Sequence, residues 1–244
     1  EQVRDAVRDA GQVGRGGKKQ STARAPEGDH TPEDLDRFLA GRAQNDIGNA
    51  ERLVARYGED LIYVPGIGWH GWTGTHWSRD LGDDMALDFA TLTAKDMWRE
   101  VAALRESAKG AKARGDEESR IDYLTQHAVG SGNMGKLKAM IEGAQPKRRC
   151  EMAELDAEPF LFYTPNRALR VHPAELEIAR DRAHRVTRLA AVPFDPAAQC
   201  PLWDAFIEQT FPDVGLRAFV QRAVGYSMTG DMSEESFFMC WGRG

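Results

Sequence analysis

Residues 61–78 read LIYVPGIGWHGWTGTHWS, and this stretch decides the fold class. Three short β-prone runs are separated there by turns that contain proline or glycine. That spacing predicts a small antiparallel β meander within residues 61–80. Its packing face would come from three tryptophans within nine residues, Trp69, Trp72 and Trp77. The same rings also fit a platform on which the bases of a single strand stack, so both interpretations stay open.

Helical patterns flank this meander on both sides. Thr31 has the spacing of a helix cap, with Pro32 in the first turn and Asp34 at the capping-box position. Later segments repeat apolar residues at three- and four-residue intervals, and Gly58 ends one of them. The helices predicted before residue 150 cover 31–39, 46–57, 93–109, 117–128 and 133–144.

Residues 151–244 have a mixed pattern. Short apolar runs predict strands at 160–162, 169–171 and 186–189. Pro201 begins a predicted helix, and a second helix places apolar residues of 216–224 on one buried stripe. A loop at 227–233 leads to a predicted final strand at 237–241.

The predicted final strand runs into Gly242, Arg243 and Gly244. A buried strand followed by a glycine turn is how a phosphate-binding loop begins, because backbone amides of the turn face the phosphate oxygens. The lysine and the Ser/Thr that complete such a loop do not follow. These three residues are therefore predicted to form an incomplete nucleotide-binding loop, and we expect the chain to be a fragment cut within it.

The predicted fold class is α+β and mainly helical, with a small Trp-rich antiparallel meander. A helical C-terminal part leads into the first strand of a P-loop domain. Residues 1–30 have few large apolar groups and are predicted to be a flexible linker or tail. The body divides into a helical region with the meander, 31–150, and a mixed region, 151–244.

Composition narrows the class of protein. Apolar residues make up 41% and charged residues 29% of the 244 residues, as in ordinary globular proteins. No run approaches the ~18 apolar residues of a membrane span, so no membrane partner is expected. The three cysteines lie far apart without a C-x-x-C pair, which favours a reducing, cytoplasmic location over a disulfide framework.

Motifs for catalysis or metal binding are weak. The G-x-G-x-x-G match at 130–135 follows a helical pattern, whereas a dinucleotide fingerprint follows a strand, so a turn between helices is predicted. The six histidines lack ligand spacing, and Asp80, Asp83 and Asp84 are typical of a helix start. We therefore predict no catalytic residue, metal site or bound cofactor in this chain.

Basic residues are clustered although the net charge is −6. Residues 136–149 hold five Lys/Arg against one Glu, and 167–188 hold six Arg and two His against three acids. Such clusters are usually a solvated face, but in a DNA-binding protein they contact phosphates. The candidates for DNA contact are Lys136, Lys138, Lys147, Arg148, Arg149, Arg167, Arg170, Arg185 and Arg188.

Four stretches together resemble one family, the phage and plasmid primase-helicases related to the poxvirus primase-helicase. Each motif is weak alone, but their order and spacing over residues 44–244 make the combination fairly specific. The resemblance identifies the chain as the region that precedes a superfamily 3 helicase domain. The stretches are NDIGNAER at 45–52, the Tyr63–Trp77 aromatic pattern, DPAAQCPLW at 195–203, and QRAVGYSMTG at 221–230 with the terminal FF and GRG.

This resemblance implies a function in DNA replication. The parent proteins of the family form rings, hydrolyse ATP with Mg²⁺ and translocate on DNA, and Gly242, Arg243 and Gly244 would begin their Walker A loop. Without the lysine of that loop, the present chain is expected not to hydrolyse ATP. The expected partners are single-stranded or forked DNA and further copies of the same protein.

The region itself would then be a collar that helps to assemble rings or to guide DNA. The main alternative is a standalone, non-enzymatic DNA-binding or oligomerisation module from a prophage. A second alternative is an unrelated scaffold in which the terminal Gly-Arg-Gly has no function.

Overall fold

The computed structural model describes residues 31–109, 115–171 and 175–241. Within these ranges the chain forms seven α-helices and two small antiparallel sheets, which confirms the mainly helical α+β class. The predicted linker at 1–30 and the glycine turn at 242–244 lie outside the described residues. No helix in the described ranges has both the length and the apolar character needed to cross a bilayer.

The first two helices begin where the capping residues predict. Helix α1 spans Pro32–Leu39, and the Thr31 side chain accepts a hydrogen bond from the backbone N–H of Asp34. Helix α2 spans Asp46–Tyr57 and is capped in the same way by Asn45. Each cap satisfies an amide that the first helical turn leaves unpaired.

The meander is present as an antiparallel sheet in the order β1-β2-β3, with β1 at Leu61–Val64, β2 at Gly68–Trp72 and β3 at Trp77–Ser78. Trp69 and Trp77 are buried in the core, and Trp72 is half-buried with its ring centroid 5.4 Å from that of Trp77. Two of the three tryptophans therefore pack the fold, as the core interpretation predicts.

Helix α3 spans Gly82–Ala108 and starts earlier than the predicted residue 93. The Thr93 hydroxyl does not cap a helix but donates to the Phe89 carbonyl within it, at 2.7 Å. The helix begins instead at the acidic cluster, with Asp83 and Asp84 in its first turn, where the helix dipole favours negative charge.

Two further helices follow and complete the helical core. Helix α4 spans Gly115–Ser131 and helix α5 spans Met134–Ala144, so the glycine motif at 130–135 is a junction between helices, as predicted. Helices α2 and α5 approach closely where Gly143 faces Ala50. One apolar cluster joins α2, α3, α4 and α5 to the first sheet and contains Ala50, Leu53, Leu61, Trp69, Ala86, Ala90, Ala94, Met97, Ala128, Leu137, Met140 and Ala144.

A second sheet has the order β4-β5-β6, with β4 at Leu161–Tyr163, β5 at Ala168–Arg170 and β6 at Glu175–Ile178. Strand β6 was missed in the sequence, and the strand predicted at 186–189 is wrong. That segment makes single backbone bonds instead: the Val186 carbonyl accepts from Trp77, and the nearby Ala190 amide donates to Tyr163. Single bonds to two different sheets connect the sheets but do not make a ladder.

The C-terminal part consists of helix α6, Pro201–Thr210, and helix α7, Val214–Ser227. Both helices were predicted, but no residue of 201–241 is buried. The predicted strand at 237–241 is wrong, because no strand among the described residues lies beside it to pair with. Its Phe238 ring packs against Phe219 and Tyr226 of α7 instead, at 6.1 and 6.4 Å between centroids.

Candidate nucleic-acid interface

The basic residues of 136–149 are mostly paired with nearby carboxylates. Lys136 Nζ lies 3.0 Å from Asp46 Oδ1, which joins α5 to the start of α2. Two others also lie beside carboxylates, Lys147 at 3.8 Å from Glu51 and Arg149 at 2.7 Å from Glu151. Lys138 is exposed on α5 and has no ion pair within the described residues.

Arg148 faces inward rather than toward a ligand. Its Nε donates to the Leu61 carbonyl at 2.9 Å, and its own carbonyl accepts from the Tyr63 amide at 2.8 Å. Burial and the nearby Arg185 guanidinium lower the pKa of Arg148. The basic run therefore extends the first sheet beside β1, and its central arginine stabilises that junction.

The basic residues of 167–188 divide in the same way. Arg170 pairs with Glu158 at 2.7 Å, and Arg185 pairs with Glu154 and contacts the Cys150 sulfur. Arg167 is exposed and has a contact of its own. Arg188 is exposed, with no ion pair in the part of the chain that the structure describes.

Neither the histidines nor the acidic residues form a metal centre in the described residues, where no group of three potential ligands comes together. His70 is buried in β2, with Nδ1 3.3 Å from the Gly68 carbonyl, and burial lowers its pKa. His76 bonds to hydroxyls of its own turn, Thr73 and Thr75, at 3.0 Å. These contacts assign both histidines to the architecture of the meander.

A buried ionic network between α1, α2 and α3 was not predicted. Arg52 Nε and Glu100 Oε2 lie 2.8 Å apart, and both side chains are fully buried. Arg56 bridges the same Glu100, at 3.1 Å, to Asp36 of α1, at 2.7 Å. Burial raises the pKa of Glu100, and the two guanidinium groups oppose that rise. Only the spacing of Arg52 and Arg56, one helical turn apart, gave a sequence signal.

A second polar cluster brings Asn49 of α2 together with His127 and Ser131 of α4. His127 Nε2 lies 2.7 Å from Asn49 Oδ1 and 3.3 Å from the Ser131 hydroxyl, so one ring nitrogen serves both neighbours. A catalytic triad instead uses the two ring nitrogens for different partners. The Ser131 hydroxyl also donates to the His127 carbonyl at 2.8 Å, so this cluster orients helices and does not build a nucleophile.

The C-terminal helices expose many large apolar side chains. A groove of about 460 Å³ lies between α6 and α7, lined by Trp203, Ile207, Val214 and Val224 among others. A large exposed apolar patch on a protein marks a site where another protein surface binds. The exposed apolar side chains of this part include Leu202, Trp203, Phe206, Val214, Leu216, Phe219, Val224, Met228, Met232, Phe237, Phe238, Met239 and Trp241.

Residues 50–212 match the D5 N terminal like family, and this match covers more than half of the chain. It includes the whole first sheet, helices α3 to α5, the second sheet and α6. No curated protein matches the chain.

Proposed function

Since the chain belongs to the D5 N terminal like family, the N-terminal region of phage and plasmid primase-helicases, we propose that it is the collar-like region preceding the motor of such a protein. The parent would be an ATP-dependent superfamily 3 helicase of DNA replication, acting in the cytoplasm. The family match over residues 50–212 carries this proposal.

The division of apolar surface supports a docking role. Residues 31–171 bury a core around α3, whereas the helices α6 and α7 expose their apolar side chains. An α-helix with an exposed apolar face is stabilised when a neighbouring surface covers that face. We propose that the motor domain covers it in the parent protein, so that the core stands as a rigid collar beside the ring.

The ATP-binding role of Gly242, Arg243 and Gly244 is part of the same proposal. ATP hydrolysis is to be measured on the parent primase-helicase, with residues 1–244 alone as the control. We expect DNA-stimulated hydrolysis by the parent and none by the control, because phosphoryl transfer needs the lysine and the Mg²⁺ ligand of the complete loop. A parent protein that binds no ATP would contradict the motor assignment.

DNA contact is proposed for two of the nine candidate basic residues, Lys138 and Arg188, which are exposed and have no ion pair within the described residues. The double variant Lys138→Ala/Arg188→Ala should weaken binding of single-stranded DNA and reduce the salt slope by roughly 0.7 for each lost phosphate contact. The matched control is Arg37→Ala, which removes an exposed arginine paired with Asp34. Equal binding by the double variant and the control would remove these two residues from the interface.

A second candidate function is a standalone oligomerisation module, which the exposed apolar groove between α6 and α7 also favours. Sedimentation of residues 1–244 over a range of concentrations distinguishes the two. A stable, defined oligomer without the motor would favour the standalone module. A monomer that joins rings only as part of the parent would favour the collar.

A further inference from the structure

A second cavity, of about 340 Å³, is lined by other residues than the groove of the C-terminal helices. It lies between the α1–α2 connection, the C-terminal half of α3 and the first half of α4. None of the nine basic residues proposed for DNA contact lines it. Its walls include Arg42, Gln44, Leu104, Ser119, Arg120 and Tyr123.

The buried Arg52 fixes one wall of this cavity. Its guanidinium donates to the carbonyls of Leu39 and Ala43, at 3.0 and 2.9 Å, and lies 3.4 Å from the Arg42 carbonyl. In a trans peptide the N–H points opposite to the carbonyl of the same peptide unit. The amides of Ala43 and Gln44 therefore point away from Arg52, and both residues line the cavity.

These two amides have no hydrogen-bond partner in the described chain. Successive backbone N–H groups that point into one concavity form an anion-binding nest. Arg42 also lines this wall, but its guanidinium lies 3.6 Å from Glu51 Oε2 and 4.5 Å from the Phe38 ring centroid, so its charge is already paired and the phosphate is not assigned to it. Among the described residues, no carboxylate lines the cavity.

The opposite wall comes from α4 and combines a cation with an aromatic ring. Arg120 is exposed and makes no ion pair or hydrogen bond within the described ranges. Tyr123 follows three residues later, on the same side of the helix, and its side chain is 60% exposed. Leu104 of α3 adds an apolar contact below them.

We propose that this cavity binds a nucleotide unit, with its phosphate on Arg120 and the Ala43 and Gln44 amides and its base stacked on Tyr123. A guanidinium and paired amides match the oxygens of a phosphate. An exposed aromatic ring offers a face on which any base can stack. The volume is within the range of small-molecule sites. The nucleotide is either free in solution or part of a single strand.

The test is a titration of isotope-labelled residues 1–244, followed by the amide resonances of Ala43 and Gln44. Three probes are added separately: inorganic phosphate, dAMP and a ten-nucleotide oligo-dT. Shifts with dAMP at saturation identify a free nucleotide as ligand, and shifts with the oligonucleotide alone identify a single strand. No shift of either amide with any probe at millimolar concentration overturns the proposal.

Two variants distinguish the phosphate contact from base stacking. Arg120→Ala should lower the affinity for all three probes about tenfold, since a charge-assisted contact is lost. Tyr123→Leu should weaken dAMP and the oligonucleotide about tenfold and leave phosphate unchanged, because only base stacking is lost. If the Arg120→Ala variant and the unsubstituted chain bind every probe with equal affinity, the assignment is contradicted.

Lys95→Ala is the matched control, since it removes an exposed cation of α3 that neither lines the cavity nor belongs to the proposed DNA surface. It should leave dAMP binding unchanged. Loss of oligonucleotide binding in Lys138→Ala, with Arg120→Ala unaffected, would support the proposed DNA surface and overturn the cavity. The two proposals therefore fail separately.

Discussion

Arg52 shows how much of this fold depends on one buried side chain. It pairs with Glu100 of α3, and the same guanidinium holds the carbonyls that end α1 and begin the connection to α2. Two charges taken out of water are stable only when hydrogen bonds satisfy them fully. Position 52 therefore needs both a positive charge for Glu100 and hydrogen-bond donors for the two carbonyls. A hydrophobic residue of similar size supplies neither.

The first prediction concerns this ion pair. Arg52→Met should lower the free energy of unfolding by about 3–5 kcal/mol, because Glu100 loses its closest partner and stays buried. Urea unfolding monitored by circular dichroism measures the change. Arg37→Ala, which breaks an exposed pair, should cost at most about 1 kcal/mol.

A double variant checks that the cost comes from the uncompensated charge. Arg52→Met/Glu100→Leu should recover part of the stability that Arg52→Met loses, because no lone carboxylate is left at this position. If the double variant is less stable than the single one by the full cost of a second core substitution, the buried charge is not the cause.

His127 gives a prediction on pH. Burial, Arg52 and Lys136 lower the pKa of His127 in the folded protein, while in the unfolded chain it stays near its ordinary value of about 6.5. As the pH falls below neutral, the unfolded state then binds more protons than the folded state. The contribution of His127 to the free energy of unfolding is therefore fully present above about pH 7 and declines toward pH 5. The slope for one such group is at most about 1.4 kcal/mol per pH unit.

The variant His127→Gln tests this assignment, since an amide can still donate to Asn49 without titrating. The free energy of unfolding of this variant should change less between pH 7.5 and 5.5 than that of the unsubstituted chain. His70, whose pKa burial also lowers, contributes with the same sign and remains in the variant. An unchanged slope would mean that His127 does not titrate differently on folding.

At the scale of elements, the contact of α3 with the first sheet depends on a glycine. A Cβ added at Gly82 would lie 1.9 Å from the Trp69 carbonyl oxygen and 2.7 Å from the His70 amide nitrogen, both of them backbone atoms. Backbone cannot rotate away as a side chain does, so α3 must shift from β2 to admit even one methyl group. The start of this helix is therefore fixed by packing as well as by its acidic first turn.

Paired glycine substitutions test this contact. Gly82→Ala should destabilise the protein by about 1–3 kcal/mol through overpacking. Gly130→Ala, in α4 with open space around the new methyl group, should instead stabilise it by about 0.5–1 kcal/mol. Thermal unfolding of both variants gives the signs, and equal effects would show that helix propensity alone decides.

Local signals in the sequence predicted some elements and missed others for physical reasons. The Thr31 cap and the turns of the meander depend only on residues a few positions apart. A local pattern therefore predicted α1 and the first sheet correctly. The start of α3 predicted at Thr93 was wrong, because Thr93 bonds within the helix, whereas Asp83 and Asp84, which the sequence marked as typical of a helix start, lie in its first turn. A strand at 237–241 was wrong because a strand needs a partner, which a local pattern cannot supply.

The candidate site was less predictable than the fold. The sequence shows that basic residues are clustered. Which of them are paired depends on carboxylates that are distant in the sequence, as in the Lys136–Asp46 pair. The same holds for Arg52 and Glu100, forty-eight positions apart. Charge runs therefore locate a surface in the sequence, whereas only the fold shows which charges remain available on it.

At the scale of the whole molecule, apolar surface is distributed unevenly. The helical region around α3 contains fully buried residues such as Met97 and Leu53, whereas residues 201–241 contain none. Stability should be distributed in the same way, because burial of apolar area is the main favourable contribution to folding. The two parts of the chain should then respond very differently to the loss of one large side chain.

The last prediction compares two such losses. Met97→Ala should cost about 2–5 kcal/mol, since it leaves a cavity in the core. Trp203→Ala, on the exposed groove of α6, should cost less than about 1 kcal/mol, because its ring is 52% exposed and leaves no cavity. Amides of α6 should likewise exchange with solvent much faster than those of α3. If instead Trp203→Ala costs as much as Met97→Ala and the cost grows with protein concentration, a second copy of the chain covers this groove in solution, and the standalone oligomer is favoured over the collar.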